Sequence, residues 1–261
     1  MKYSLLDMVQ DIMNDMDSDF VNSIDDTAES QQVAQIIKTT YFHLIDTRNW
    51  PHLKTLFTFK SLSDVTKPTH VKVPDNLKEL EWVRYDSRED GETRKRYKDV
   101  KYLDPDMFLK KQYALNSDNT DVEIAIDPSG IEVLIENDKA PSYWTSFDDT
   151  HVVFNSYDNT VDSTIKVSKV VAFGYTTPSW THSDAFVPNL PDEAFTALLE
   201  EAKSTAFLTL KQMANQKAEQ QATRSQRWLS RKAWRTKGGI GYPDYGRKRG
   251  RSASRTQFKK D

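Results

Sequence analysis

Residues 48–59 read Arg48-Asn49-Trp50-Pro51-His52-Leu53-Lys54-Thr55-Leu56-Phe57-Thr58-Phe59, and within them the apolar period changes from helical to alternating. Proline disfavours α geometry in the residue before it, so the Asn49-Trp50-Pro51 step ends a helix. From Leu53 to Phe59 the alternation is that of a strand. The fold therefore turns here from an α-helical beginning to a β-rich middle.

Upstream, two helices are expected. The first starts at Ser4, with Asp7 three residues later in the arrangement of a capping box. Leu5, Val9, Ile12 and Met16 follow helical spacing, flanked by Leu6 and Met13. The second runs from Asp26-Thr27 to about Arg48, with Val33, Ile36, Ile37, Thr40, Tyr41, Leu44 and Ile45 on its apolar face.

Downstream, further strands are expected at Thr69–Val73, Leu77–Asp86, Arg94–Leu103, Asp121–Ile126, Ile131–Glu136, Ser142–Ser146, His151–Asn155 and Ser163–Tyr175. Turns such as Asp127-Pro128-Ser129-Gly130 separate several of them. One short helix interrupts the series, capped by Asp104 with Pro105 in its first turn. After Pro188 the helical period returns. Phe195, Leu198, Leu199, Ala202, Ala206, Leu210 and Met213 form one stripe. A helix continuing to about Arg224 would be roughly 50 Å long. Its polar outer half, Ala214 onward, would be a strut or pack on another subunit. The expected fold class is α+β: a helical bundle of three long helices with a β-rich insertion and an extended C-terminal tail. Residues 1–50 supply the N-terminal helices, 51–189 the insertion, 190–223 the long C-terminal helix and 224–261 the tail.

The net charge of −3 conceals an asymmetry. Residues 224–261 hold thirteen Lys or Arg against two acids, a net +11, which leaves −14 on the rest. An acidic body with a basic tail points to an acidic partner for the tail, nucleic acid or protein. The chain has no cysteine, which excludes disulfides, thiolate metal sites and cysteine nucleophiles. The acidic start of the chain does not read as a signal peptide, and no run approaches a membrane span.

Catalytic signatures are missing. None of His43, His52, His70, His151 and His182 has a partner at helical metal-ligand spacing. No phosphate loop, nucleophile elbow or dinucleotide fingerprint is present, and no catalytic, cofactor or metal residues are assigned. Asp15, Asp17 and Asp19 resemble the start of a calcium loop, but the sixth position is Phe20 and the twelfth Asp26 where Gly and Glu are needed.

The tail interleaves aromatics with cations. Arg227, Trp228, Arg231, Trp234 and Arg235 come first, then Ile240, Tyr242 and Tyr245 in a glycine-rich stretch. Three readings are open: a solvated terminus, a nucleic-acid contact in which cations neutralise phosphates and aromatics stack bases, or docking into a protein groove with Trp and Tyr as anchors.

Several stretches resemble podovirus head-to-tail adaptors, also called head-tail connectors or tail tubular proteins. They include Leu5-Leu6-Asp7-Met8-Val9-Gln10-Asp11-Ile12, Val21-Asn22-Ser23-Ile24-Asp25-Asp26-Thr27 and Arg48-Asn49-Trp50-Pro51. Others are Asp138-Lys139-Ala140-Pro141-Ser142-Tyr143-Trp144-Thr145-Ser146-Phe147-Asp148, Leu190-Pro191-Asp192-Glu193-Ala194-Phe195 and Arg227-Trp228-Leu229-Ser230-Arg231-Lys232-Ala233-Trp234-Arg235. None carries a catalytic signature; the likeness rests on their number and order. It implies a non-enzymatic structural protein of the bacteriophage virion, assembled in the host cytoplasm as a dodecameric ring at the portal vertex. The portal protein would bind the tail, the tail nozzle protein would meet the other end of the ring, and genomic DNA would pass through the lumen without specific binding. Genome ejection would use that channel, and no membrane would be contacted. The alternative is a nucleic-acid-binding protein that uses its basic C-terminal tail.

Overall fold

The structure is a computed structural model and describes residues 2–88 and 91–235, with side chains described as far as Arg231. The chain divides into two compact units. Ile45–Thr181 form one, and the flanking segments up to Leu44 and from His182 form the other.

The sheet unit is built from ten strands: β1 (Lys54–Phe57), β2 (Lys60–Ser61), β3 (His70–Lys72), β4 (Leu77–Asp86), β5 (Tyr97–Tyr102), β6 (Val122–Ile126), β7 (Glu132–Glu136), β8 (Tyr143–Thr145), β9 (His151–Phe154) and β10 (Val170–Thr176). Eight of them form one curled sheet, a half-barrel, in the order β1-β10-β4-β5-β8-β9-β3-β2. All neighbours are antiparallel except β5 and β8. A parallel pair needs a long crossover, and here it carries the short helix α1 (Pro105–Gln112) and the separate β6–β7 hairpin. Asp104 accepts the Asp106 amide at the start of that helix, as its position before Pro105 predicts.

The curled sheet packs an apolar core of Phe57, Val83, Tyr85, Val100, Trp144, Val153 and Phe154, with Phe108 of α1 and Ile135 of β7 packed in from the crossover. His70 and Asp127 are among the polar residues buried in this unit. The ring Nε2 lies 3.0 Å from the carboxylate and ties β3 to the turn of the β6–β7 hairpin.

The helical unit holds α2 (Leu5–Asp15), most of α3 (Ala28–Asp46), α4 (Phe195–Leu210) and α5 (Gln216–Arg235). The capping box at Ser4 is formed, with Ser4 and Asp7 each accepting the other's amide at 3.2 and 3.0 Å. Leu5, Met8, Val9, Ile12 and Met13 are its buried side. The strap before α4 closes over this helix. The Phe186 and Asp184 carbonyls accept the Leu5 and Leu6 amides at 2.7 and 3.2 Å. The Asp184 carboxylate accepts the Ile24 amide at 2.9 Å.

Lys203 of α4 is 8 % exposed and bridges to Asp11 and Asp15 of α2. Burial works against its ammonium, but the Asp15 hydrogen bond and the two carboxylate charges outweigh that and raise its pKa.

Two expectations are corrected. The chain is not a bundle of three long helices with a projecting insertion. It is a mixed α/β protein dominated by the eight-stranded sheet. The strands carry enough inward apolar residues to close a core of their own, so they need no bundle to project from.

The C-terminal helix does not run on to Arg224, nor does a tail begin there. It stops at Leu210, where Gln212 adopts φ 52° and the Lys211 and Met213 amides both return to the Phe207 carbonyl. A new helix, α5, then runs through position 224 and packs back on α4. The polar stretch that read as a strut hides small residues: Ala218 and Ala222 are buried in the same chain. Residues 218 and 222 thus find packing surface within their own chain.

Gly174 marks a close backbone approach in the sheet. A Cβ there would stand 2.1 Å from the Glu79 carbonyl oxygen, where the β10–β4 register shifts. Gly174→Ala has to push β4 and β10 apart, one strand in from the β1 edge of the sheet. The expected loss is about 1–3 kcal/mol in chemical denaturation. An unchanged midpoint would mean that the two strands do not meet this closely.

Candidate docking site

α5 is the element on which the basic-aromatic residues are placed. Asn215 caps it, its side-chain oxygen accepting the Ala218 amide at 3.1 Å. Ala218, Ala222 and Leu229 are buried, and Gln226 donates to Glu201 of α4 at 3.3 Å. At 3.6 residues per turn these positions share one side of the helix.

Arg224, Arg227, Trp228 and Arg231 fall on the other side. The three arginines are exposed and make no ion pair with any described residue. Trp228 is 50 % exposed. Like charges three and four residues apart destabilise a helix by a few tenths of a kcal/mol per pair. This face therefore lowers its energy when an anionic surface comes against it. Guanidinium groups bind carboxylate or phosphate in a two-pronged geometry, and the indole offers a large apolar anchor.

The eight residues singled out in the sequence divide three ways. Arg227, Trp228 and Arg231 come together on this face. Trp234 and Arg235 occupy the last turn of α5, and the backbone is as much as is described there. Ile240, Tyr242 and Tyr245 lie outside the described residues. Arg224 was missed as part of the set. Its spacing of three and seven residues to Arg227 and Arg231 was the available signal, once the segment is taken as helix.

The other polar clusters are absorbed by the fold. Asp26 accepts the Asn22 and Ser23 amides at 2.7 and 2.9 Å, closing the turn before α3. Asp148 accepts the Thr150 hydroxyl and meets His151 Nδ1, both at 2.6 Å. Burial opposes its ionisation, but these hydrogen bonds prevail and hold the carboxyl below the usual range. Thr69, His70, Asp127 and Ser129 are arranged in a chain that resembles a nucleophilic relay. Thr69 is 0 % exposed and His70 is 2 % exposed, so no substrate reaches the hydroxyl beside the ring. Among the described residues no group of three or more His, Asp or Glu is placed to hold a metal ion. Among them, too, no helix is long and apolar enough to cross a membrane.

The chain matches no protein-family model, and no curated protein is significantly similar to it.

Two tests follow from this geometry. A deletion starting at residue 236 keeps every buried residue of α5, whereas one starting at 224 removes Leu229. The longer deletion is expected to lower stability by about 2–4 kcal/mol, as losing a buried leucine does. Equal melting curves for the two would mean that the second half of α5 does not pack.

His70 supplies a pH test. Burial, the largest influence, lowers its pKa from the ordinary 6.5 more than Asp127 raises it, and the charges of Lys67 and His151 lower it further. An imidazole that resists protonation contributes stability above the unfolded-state value, and that stability is lost as the pH falls through and below it. Denaturation midpoints should thus decline from pH 7 toward pH 5, and His70→Asn should flatten the decline. An unchanged slope would assign the proton uptake to another group.

Proposed function

We propose that this chain is a non-enzymatic head-to-tail adaptor of a short-tailed bacteriophage virion. Twelve copies form a ring between the portal and the tail nozzle, with the genome passing through the lumen. One observation carries the reading. The exposed Arg224–Arg227–Arg231 face, without an ion pair among the described residues and with Trp228 at its edge, sits on a helix that leads into a strongly basic C-terminal segment. A rigid helix that presents guanidinium groups and an indole suits docking to an acidic rim on another protein.

Two further points support it. The stretches that resemble podovirus adaptors are distributed over almost the whole chain. The net −14 outside residues 224–261 suits a wall past which DNA slides without being held. The portal contact is assigned to the α5 face, and the nozzle protein takes the other end of the ring. Assembly takes place in the host cytoplasm and needs no cofactor. The same cations favour one alternative, a nucleic-acid-binding protein, because phosphates satisfy arginines as well as carboxylates do.

The test mixes the purified chain with portal rings, then applies sedimentation and electron microscopy. Binding with a twelve-fold ring is expected. Arg227→Glu combined with Arg231→Glu should weaken binding by at least about tenfold, since like charges across an interface cost several kcal/mol. No portal binding, together with steeply salt-dependent binding to duplex DNA, would replace this reading with the alternative.

A further inference from the structure

β10 starts opposite the end of β4, with Val170 paired to Tyr85. The 3-10 turn Val167–Lys169 leads into β10, and the β4–β5 loop comes against it. Between turn and loop lies a cavity of about 550 Å³, whose wall includes Asp86, Arg88, Lys95, Lys166, Ser168 and Lys169.

Lys169 is 9 % exposed. Its ammonium donates to the Arg88 carbonyl at 2.7 Å, one acceptor for three donors. Among the described residues no carboxylate forms an ion pair with it, nor with Lys95 or Lys166, both of which are exposed. A nearly buried ammonium without a counter-charge is costly. The acids that line the cavity are committed elsewhere. Asp86 accepts the Arg88 and Arg96 amides at 3.3 and 2.9 Å and lies 3.7 Å from the Arg88 guanidinium. Glu92 pairs with Arg96 at 3.2 Å. Glu89 and Asp90, which follow Arg88 in sequence, lie outside the described residues.

We propose that this cavity binds a phosphate group, either the free ion or a phosphate of a nucleic-acid backbone. Three lysines without a counter-ion, with the exposed Ser168 hydroxyl beside them as a further donor, exceed what one carboxylate can answer. Free phosphate brings a charge of about −1.5 to −2 and several strong acceptors. A nucleic-acid strand brings one charge per nucleotide in succession, which exposed Lys95 and Lys166 can meet while Lys169 takes the innermost oxygen. The site is built from the sheet unit alone and needs neither the α5 face nor the adaptor reading.

The test is lysine acetylation of the full chain, read at each lysine by mass spectrometry. Inorganic phosphate and a short oligothymidylate are the probes, each against chloride at matched ionic strength. Phosphate should slow acetylation of Lys95 and Lys166 and leave Lys60, exposed on β2, unchanged. Lys169→Met keeps the aliphatic stem and removes the ammonium, and it should abolish the protection. Lys95→Gln, at an exposed position, should raise the phosphate concentration that protects Lys166 about tenfold, as losing a charge-assisted hydrogen bond does. Protection by both probes makes the nucleic-acid backbone a source, whereas protection by inorganic phosphate alone limits the site to the free ion; each result keeps the site. No protection by either probe overturns the inference, and so does protection of Lys166 that neither substitution diminishes. Slow acetylation already present in chloride and relieved by Glu89→Gln with Asp90→Asn also overturns it, because the lysines would then have an internal partner.

Discussion

β5 changes partners partway along its length, and the sheet unit depends on that change. Tyr97–Val100 pair antiparallel with β4, while Lys101 and Tyr102 pair in parallel with β8. The Lys101 amide donates to the Ser142 carbonyl at 3.0 Å and the Leu103 amide to the Trp144 carbonyl at 2.9 Å. This short joint turns two four-stranded halves into one curled sheet, so that residues from both, such as Val83 and Val153, enclose one core. The same divergence leaves Leu77–Trp82 without a strand along one edge among the described residues, because a strand that leaves its neighbour exposes that neighbour's hydrogen-bonding edge.

In the helical unit the comparable constraint is charge. Lys203 lies almost buried between Asp11 and Asp15, and a lone ammonium there would be costly. With its two carboxylates it sets α4 against α2 and accounts for Asp15, the first of the acids that otherwise look like the start of a calcium loop. α4 then ends at Leu210, Gln212 turns the chain, and it returns along α4 through Ala218, Ala222 and Leu229. Alanines permit the close approach, and the return turns Arg224, Arg227 and Arg231 outward together. The proposed docking face is thus a consequence of how α5 packs and not of a free tail.

Much of the local structure was legible in the residues. The capping box at Ser4, the Asp104-Pro105 helix start, the break after Trp50 and the strand Leu77–Asp86 all rest on interactions within a few positions along the chain. The cationic-aromatic character of residues 224–235 was equally plain, and so was the lack of a recognisable nucleophile or phosphate loop. Local propensity and spacing decide such features because the atoms concerned are neighbours in sequence.

Tertiary structure decided the rest. Whether nine strand-like runs project from a bundle or close on each other depends on pairings such as β1 with β10 and β5 with β8, which join residues as far apart as Lys54 and Tyr175. The polar stretch after Met213 could equally have continued α4 or turned back on it. Burial of two alanines chose the second course, and alanine carries too weak an apolar signal to announce it. Likewise nothing local shows that His70 finds Asp127, or that Lys203 finds Asp11. The sequence by itself determined the elements and their chemistry, whereas their assembly was settled by contacts between distant residues, whose energies no local pattern encodes.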